Sequence, residues 1–360
     1  MKHKRSFLLL LLPLAAAAVI AVFLLQPKPY ADSSFAMGSV VEQTVWGKKE
    51  NGDLTARIAD AIAALENEQL SARAQGSGLW RINAGEALRT EEYGELQDAL
   101  LLALELARAT GGAFSPALGP LIDLWRIDNP DGAAPRLPSQ AEIDAALSLC
   151  DYNDIADSDF SLAAQGMKLS LGALGKGAAC DSALRLLERD AVDGAVLSVG
   201  GNILTYGQKP FWQPFKIALR DPKGAAEESI GLFRLRGTNF ISTSGSYEKY
   251  FEVDGKRYHH ILDGTTGYPA ETGGLIAVTI LLKKQGWSPG ADYARAQNMQ
   301  PGAVADALST ACFLVGFEDA LPLLEAYGCE ALFIYEEGIV KATPGARACL
   351  ELTNEAYHWA

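Results

Sequence analysis

The sequence has 360 residues, of which 49% are hydrophobic and 9% aromatic, and its formal net charge is −13 from 44 acidic and 31 basic residues. This apolar content excludes general disorder, and the length predicts one large domain or two closely joined ones. A nucleic-acid-binding surface is excluded as well, because the sequence has none of the Lys and Arg clusters that displace counterions from phosphates.

The N-terminus combines a basic start with a long apolar run. Lys2, Lys4 and Arg5 precede the chargeless stretch Phe7–Leu25. As a helix this stretch would span roughly 28 Å, close to the thickness of the hydrocarbon core of a bilayer. The basic residues keep the N-terminus in the cytoplasm and place the following chain outside. Because no clear small-x-small cleavage site follows, the sequence favours an uncleaved anchor over a cleaved signal peptide.

Hydrophobic periodicity predicts alternating strands and helices along the rest of the chain. In the first half, the predicted elements are a strand at Val41–Val45, helices over Leu54–Gln69 and Leu96–Ala107, a surface loop at Asp128–Pro138 and a helix at Ala141–Leu149. In the second half, they are a strand at Met167–Leu171, a helix at Lys176–Arg189, strands at Ala195–Val199, Phe215–Leu219, Leu232–Leu235 and Phe240–Ser242, a hairpin of Tyr250–Val253 with Lys256–Leu262, a strand at Leu275–Leu282, helices at Ala303–Val315 and Glu318–Tyr327, and a hairpin of Ala331–Tyr335 with Ile339–Ala342. Asp254-Gly255 is typical of a type I′ turn. Hairpins with interspersed helices indicate an α+β fold with largely antiparallel sheets.

The five cysteines predict neither a disulfide framework nor a zinc site. Their number is odd, and none shows the spacing of a CxxC pair. Cys180, Cys312 and Cys329 lie in apolar stretches. We therefore expect buried, unpaired thiols.

The segment Asp306-Ala-Leu-Ser-Thr310 carries a carboxylate and a hydroxyl four positions apart. On a helix these positions share one face, so both oxygens would point the same way. Two hard oxygen ligands suit Mg²⁺, which keeps waters and phosphate oxygens as its other ligands. The alternative is a helix start in which Asp306 is a cap and Thr310 is merely packed.

The segment Gly172-Ala-Leu-Gly-Lys176-Gly177 lies between a predicted strand and a predicted helix. Free amides at a helix start and a lysine make an anion site, and glycines let a ligand approach the backbone. The segment is not a Walker P-loop, because Ser170 stands where the first Gly belongs and Gly177 replaces Ser or Thr. Glycines used only for tight packing are the alternative.

Three further segments carry weaker signals. In His259-His260 the two side chains of a strand face opposite sides, so only one imidazole can reach a site as a general base. A surface histidine at a hairpin base is the alternative. The hydroxyl-rich stretch Ser242–Ser246 predicts a polar turn that hydrogen-bonds a ligand. Gly200-Gly201, after a strand, predicts a close approach of the backbone or a simple bend. Taken together, the metal pair, the anion-binding turn and the base describe cleavage of a diphosphate.

The order of these motifs resembles the ApbE family, the FAD:protein FMN transferases, from about Phe35 to Val315. The resemblance is carried by Phe35–Ser39, Thr110–Pro116 with Gly119–Trp125, Leu171–Gly177 with Asp181, Val199–Asn202, Ser242–Gly245 with Tyr247, His259–Asp263 with Thr266–Pro269, and Asp306–Thr310. These motifs occur in family order and without long gaps.

The resemblance implies an α+β, ApbE-like architecture related to the T-fold, with largely antiparallel sheets and packed helices after an N-terminal membrane helix. Residues 1–29 would be the signal-anchor segment. Residues 30–360 would form the flavin transferase domain, with a cleft between two closely packed lobes.

The resemblance also implies a reaction and its residues. Family members bind FAD and Mg²⁺, release AMP and esterify FMN to a Thr or Ser of a partner, which is a flavoprotein subunit of a membrane redox complex or a related extracytoplasmic electron-transfer protein. The implied FAD contacts are Met37, Arg73, Ala113, Phe114, Ser115, Ser170, Lys176 and Ile261. The implied Mg²⁺ ligands are Asp306, Thr310 and the carbonyl of Ala173. His260 is the implied base, with Asp263 as its orienter or as an alternative base.

The sequence departs from the family pattern at several positions. Ser39 replaces the common Thr, Asn202 and Ser246 replace Asp, Gly264 replaces Pro, and Ser170 replaces Asp. The change at Ser170 removes a carboxylate near the expected FAD site. Two other functions are therefore considered, an FAD pyrophosphatase in which water attacks and a non-catalytic flavin-binding protein. Free FMN and AMP formed without an acceptor would indicate the first, and tight FAD binding without turnover the second.

Overall fold

The computed structural model describes residues 26–47, 51–86, 93–127, 134–190, 192–225, 227–289 and 300–360. The strands are β1 (Lys28–Ala36), β2 (Ser39–Gly47), β3 (Gly194–Val199), β4 (Asn202–Gly207), β5 (Phe215–Arg220), β6 (Ser229–Leu235), β7 (Asn239–Gly245), β8 (Tyr250–Val253), β9 (Lys256–His259), β10 (Leu275–Lys283), β11 (Glu330–Tyr335), β12 (Ile339–Ala342), β13 (Leu350–Leu352) and β14 (His358–Trp359). The α-helices are α1 (Gly52–Ala64), α2 (Gly78–Asn83), α3 (Gly94–Ala109), α4 (Gly119–Trp125), α5 (Gln140–Leu147), α6 (Gly175–Asp190), α7 (Pro301–Tyr327) and α8 (Pro344–Arg347). A π-helical turn, Leu65–Leu70, directly follows α1.

A nine-stranded sheet in the order β1-β2-β3-β4-β7-β10-β11-β12-β14 organises the fold. Its strand pairs are antiparallel apart from β12 with β14. Strand β10 is an almost unbroken apolar run because both of its faces are covered. Val278 and Ile280 belong to the core shared with the helices, whereas Ala277 and Leu281 pack with the three-stranded sheet β13-β6-β5. The α+β class with largely antiparallel sheets is therefore confirmed.

Helices α6 and α7 pack against each other through glycines at their N-terminal ends. A Cβ atom at Gly177 would lie 2.1 Å from the Gly302 carbonyl oxygen, and one at Gly302 would lie 2.3 Å from the Gly177 carbonyl oxygen. The buried carboxylate of Asp181 on α6 accepts the N–H groups of Gly302 and Ala303, each at 2.8 Å. One helix thus caps the other, and this contact sets the position of the first turns of α7.

Most predicted elements are present, with bounds that differ by a few residues. Asp254 and Gly255 both have positive φ, as a type I′ turn requires. The two helices predicted in the last third form α7, which is broken at Gly316 by a φ of 79° and a ψ of 177°. The five cysteines are unpaired, as predicted.

The strand predicted at Met167–Leu171 is wrong. The backbone there is extended, and Met167 and Leu169 are buried, but its hydrogen bonds go to a loop and to a side chain instead of a strand. The N–H of Ser170 donates to the Pro116 carbonyl at 2.8 Å, and the N–H of Leu169 donates to Asn83 Oδ1 at 2.6 Å. The turn predicted at Ser242–Ser246 is also wrong for its first four residues, which form the end of β7.

The apolar run Phe7–Leu25 and residues 128–133 of the predicted surface loop lie outside the described residues. The anchor, the boundary near residue 29 and the two lobes stay predictions. Within the described residues, one helix, α7, is long and apolar enough to cross a membrane by length and composition. That helix packs on β7, β10 and α6, and such core helices commonly share this composition.

Candidate functional site

A cavity of about 860 Å³ opens among α2, α4, α6, α7, the β1–β2 turn and the end of β9. We call it the site cavity. Eleven of the predicted site residues line it: Met37, Arg73, Phe114, Ser115, Ser170, Ala173, Lys176, His260, Ile261, Asp306 and Thr310. Segments far apart in sequence therefore meet at one place.

Two predicted site residues, Ala113 and Asp263, are not among the residues that line the site cavity. The Asp263 carboxylate accepts the N–H and the hydroxyl of Thr265 at 2.7 and 2.6 Å, which caps its own turn. The Ala113 carbonyl accepts the Gly264 N–H at 2.9 Å. Asp263 thus stabilises its own turn, and Ala113 fastens that turn to the loop that carries Phe114. A role for Asp263 as orienter or base stays a prediction.

Asp306 is 3% exposed, and both of its carboxylate oxygens are held in place. Oδ2 accepts the Gly177 N–H at 2.9 Å, and Oδ1 accepts the Ser242 hydroxyl at 3.0 Å. The ammonium of Lys176 lies 3.9 Å from Oδ2. The missing side chain of Gly177 makes this possible, because a Cβ there would lie 2.7 Å from the Asp306 Cβ. Because Gly177 has no side chain, the Asp306 carboxylate can approach the start of α6.

Thr310 lies one turn after Asp306 and also faces the site cavity, as the i, i+4 spacing predicted. Its Oγ1 is 2.9 Å from the hydroxyl oxygen of Ser244 on β7. Ser244 is in turn 2.7 Å from the hydroxyl oxygen of Ser309, and Ser309 Oγ is 2.7 Å from the Asp306 carbonyl oxygen. Four oxygen atoms therefore form a continuous chain from the helix backbone to the cavity wall.

The oxygen atoms of Asp306 and Thr310 at the cavity suit a hard cation as ligands. The described residues contain no group of three or more His, Cys, Asp or Glu side chains that could hold a metal ion. A site here would therefore rest on one carboxylate, one hydroxyl and the backbone carbonyl of Ala173, with phosphate and water oxygens completing the shell. That composition suits Mg²⁺ and is unlike a zinc site.

The glycine turn after β3 makes room for the start of α6. Gly200 and Gly201 both have positive φ. A Cβ at Gly200 would lie 2.4 Å from Ser39 Oγ and 3.2 Å from Lys176 Cδ. The close backbone approach predicted for this segment is therefore confirmed, and it allows the lysine to extend along the cavity wall.

The two adjacent histidines face opposite ways, as predicted for a strand. His259 is buried; its Nε2 lies 3.0 Å from the Ala270 carbonyl oxygen, and burial lowers its pKa. His260 lines the site cavity, with Nδ1 3.3 Å from the Lys249 carbonyl oxygen. Because a carbonyl oxygen can only accept, Nδ1 carries the proton in this contact, so in the neutral ring the lone pair lies on Nε2. The neutral ring is the form that a general base needs.

Glu66, which sequence reasoning missed, holds the β1–β2 turn at the mouth of the cavity. Its carboxylate accepts the Met37 N–H at 2.6 Å. Met37 has a φ of 54°, an uncommon conformation for a residue other than glycine, and Gly38 follows with a φ of 64°. Glu66 lies in the π-helical turn and lines the cavity itself. Such π-turns are frequent at functional sites, but no local sequence signal marked this one.

Trp80 and Glu248 also line the site cavity and were not predicted. Trp80 lies on the six-residue helix α2, which is too short to show a helical period. Glu248 follows the hydroxyl-rich stretch by two residues, and that polar stretch is the one signal that could have pointed to it.

Comparison with known proteins supports the resemblance. The sequence model of the ApbE family matches residues 37–333. A Treponema pallidum protein named FAD:protein FMN transferase is 32% identical over 342 residues, which cover 88% of this chain and 88% of that protein. A solved ApbE protein from Thermotoga maritima has a TM-score of 0.73 at 29% identity and covers 89% of this chain and 99% of its own.

A second solved structure agrees with the first. The flavinyl transferase ApbE of Pseudomonas stutzeri in its apo form has a TM-score of 0.71 at 28% identity, over 90% of this chain and 97% of that protein. The family match covers most of the chain, and the fold similarity extends over nearly all of it. The chain therefore belongs to the ApbE family and is a transferase.

Proposed function

We propose that this protein transfers FMN from FAD to a Thr or Ser hydroxyl of an acceptor protein, with Mg²⁺, and releases AMP. The observation that carries the proposal is the site cavity. Its lining combines the oxygen pair Asp306 and Thr310, the N-terminus of α6 with Lys176, and His260, whose Nε2 would accept a proton in the neutral ring. The names of the relatives, FAD:protein FMN transferases, support the same reaction.

The mixed lining of the cavity suits FAD, which has two ring systems joined by a diphosphate. Trp80, Ile122 and Trp125 on α2 and α4 offer apolar surface to a ring system, and α6 and α7 offer the charged and hydroxyl groups of Lys176, Asp306 and Thr310 to a diphosphate. The volume of about 860 Å³ is in the range of sites for ligands of this size.

Asp306, Thr310 and the Ala173 carbonyl would hold Mg²⁺. Bound there, the ion would neutralise charge on the diphosphate as it is cleaved. Because the Gly177 N–H and the Ser242 hydroxyl already orient the Asp306 carboxylate, little reorganisation is needed when the substrate binds.

The reaction forms one P–O bond and breaks another. The hydroxyl oxygen of the acceptor bonds to the phosphorus on the riboflavin side of the diphosphate. The bond between that phosphorus and the bridging oxygen breaks, and AMP leaves with the bridging oxygen. His260 Nε2 takes the hydroxyl proton while Nδ1–H stays on the Lys249 carbonyl, and the Lys176 ammonium offsets the charge on the leaving group.

We also propose the location and class of the acceptor. The basic start and the apolar run Phe7–Leu25 support a membrane anchor with the catalytic domain on the extracytoplasmic side. The acceptor is then a flavoprotein subunit of a membrane redox complex or a related extracytoplasmic electron-transfer protein.

The decisive experiment is mass spectrometry of a candidate acceptor co-expressed with this protein, in which added FMN on a Thr or Ser is the expected result. Asp306→Ala should abolish the modification. Asp319→Ala, which changes an exposed aspartate on the same helix, should leave it unchanged. Wild-type transfer by Asp306→Ala would refute the metal assignment.

FAD and Mg²⁺ without an acceptor distinguish transfer from hydrolysis. A transferase should release little FMN and AMP under these conditions. Steady release at the rate seen with an acceptor would instead identify an FAD pyrophosphatase.

A further inference from the structure

We propose that Ser309 and Ser244 fix the direction of the Thr310 hydroxyl, so that its lone pairs face the site cavity and its proton points away. This inference rests on the proposed function, since it concerns how Thr310 serves as a ligand to a divalent cation. Ser309 and Ser244 would then be positioning residues for the metal site.

The Asp306 carbonyl accepts hydrogen bonds but cannot donate one. Ser309 Oγ lies 2.7 Å from the Asp306 carbonyl oxygen. Two oxygen atoms so close repel each other unless a proton lies between them, and the carbonyl has none to give. The Ser309 hydroxyl therefore donates to this carbonyl, and its single proton is used there.

The donor in each of the next two hydroxyl–hydroxyl contacts then follows from this first hydrogen bond. Ser244 Oγ lies 2.7 Å from Ser309 Oγ, and because the Ser309 proton is committed, Ser244 must donate in this contact. Thr310 Oγ1 lies 2.9 Å from Ser244 Oγ, and because the Ser244 proton is now also committed, Thr310 must donate in turn. The proton of Thr310 therefore points to Ser244, and the oxygen presents its remaining lone pairs to the cavity.

The direction of the Thr310 proton decides whether this part of the cavity wall favours a cation or an anion. A threonine hydroxyl whose proton pointed into the cavity would favour an anion, whereas one that presents lone pairs favours a cation. Ser309 is 0% exposed and is not among the cavity-lining residues, so it can influence the ion only through its neighbours. Besides Ser244, these neighbours are the Asp306 carbonyl and the Ser242 hydroxyl, whose oxygen lies 3.4 Å from Ser309 Oγ. Groups that orient metal ligands from behind typically change metal affinity by about 10–100-fold when they are removed.

The test is titration of the full-length protein with Mn²⁺, followed by electron paramagnetic resonance in the presence of FAD and without acceptor. Ser309→Ala should weaken Mn²⁺ binding by about tenfold or more. Ser182→Ala, which alters a buried serine on the neighbouring helix α6, is the matched control and should leave the affinity unchanged. Ser244→Ala breaks the same chain at its middle and should weaken binding similarly.

A double-mutant comparison shows whether Ser309 acts through Thr310. In a Thr310→Val background, Ser309→Ala should cause no further loss of affinity, because the group that it orients is gone. Wild-type Mn²⁺ affinity in both Ser309→Ala and Ser244→Ala would overturn the inference while leaving the proposed function intact. Absence of Mn²⁺ binding by the unmodified protein would overturn both the inference and the role of the cation. If Ser309→Ala does not melt cooperatively, the Ser244→Ala titration alone decides.

Discussion

The close contact of α6 and α7 predicts that Gly177→Ala destabilises the protein, although alanine is the better helix former. Intrinsic propensity would favour alanine by about 1 kcal/mol. At this position, however, the new Cβ would lie 2.1 Å from the Gly302 carbonyl oxygen and 2.7 Å from the Asp306 Cβ, both below the 3.0 Å limit for real Cβ contacts. The two helices must therefore separate at their N-terminal ends.

Two unfavourable free-energy changes determine how much Gly177→Ala destabilises the protein. Overpacking of this kind costs about 1–3 kcal/mol. Separation also weakens the hydrogen bond from the Gly177 N–H to the Asp306 carboxylate, and hydrogen bonds to charged groups contribute about 1.5–3 kcal/mol. After the gain in propensity, we expect the free energy of unfolding to fall by about 1.5–5 kcal/mol.

Urea unfolding followed by circular dichroism measures this change, and the same helix supplies the control. Gly175 lies two residues earlier, and a Cβ there would meet nothing within 4 Å. Gly175→Ala should therefore leave the stability unchanged or raise it slightly. Equal stability of Gly177→Ala and Gly175→Ala would refute the steric reasoning and the close contact of the two helices.

Three further predictions concern the site and its support. Glu66→Ala should raise the KM for FAD with little change in kcat, because it releases the strained Met37 turn. Glu66→Gln keeps an acceptor oxygen, so its KM should stay near that of the wild type. Equal KM values for the two variants would contradict this role of Glu66. Burial raises the pKa of Asp181 to about 7, so the native state binds more protons than the unfolded state between about pH 4 and pH 7. The free energy of unfolding should therefore fall as the pH rises through this window, by at most about 1.4 kcal/mol per pH unit, and Asp181→Asn should remove that slope in urea titrations at several pH values. His260→Ala should lower kcat for FMN transfer about 10²–10⁴-fold at unchanged FAD affinity, and an unchanged kcat would exclude it as the base.

The elements that could be predicted are those whose own sequence carries a clear period. Helix α3 repeats apolar residues at helical spacing, and β10 is an apolar run interrupted only by Thr279 before its terminal lysine. Strand β1 was missed because it is an exposed edge strand with little apolar alternation. Met167, Leu169 and Leu171 do alternate and are buried, yet their segment pairs with a loop and a side chain, and no local pattern specifies that partner.

The same distinction applies to the site. Asp306 and Thr310 could be placed on one face because helical spacing is a local property. The contact of Glu66 with Met37 joins residues 29 positions apart, and that of Ser244 with Ser309 joins residues 65 apart. Such contacts depend on how helices and strands pack, so they become visible only when the fold is known.

The break in α7 has a consequence for export of the protein. Helix α7 has 27 residues, and an unbroken helix of that length that was apolar throughout could stop in a bilayer during translocation. Gly316 divides it into halves of about 22 Å and about 16 Å, each shorter than the hydrocarbon core of about 30 Å. Any window of about 20 residues, the length needed to cross, also contains Glu318 and Asp319. The cost of an aspartate in a membrane helix reaches about 2.5–3.5 kcal/mol when the residue lies at the centre. If the chain is exported as proposed, this core helix can therefore pass through the secretion channel without inserting into the membrane.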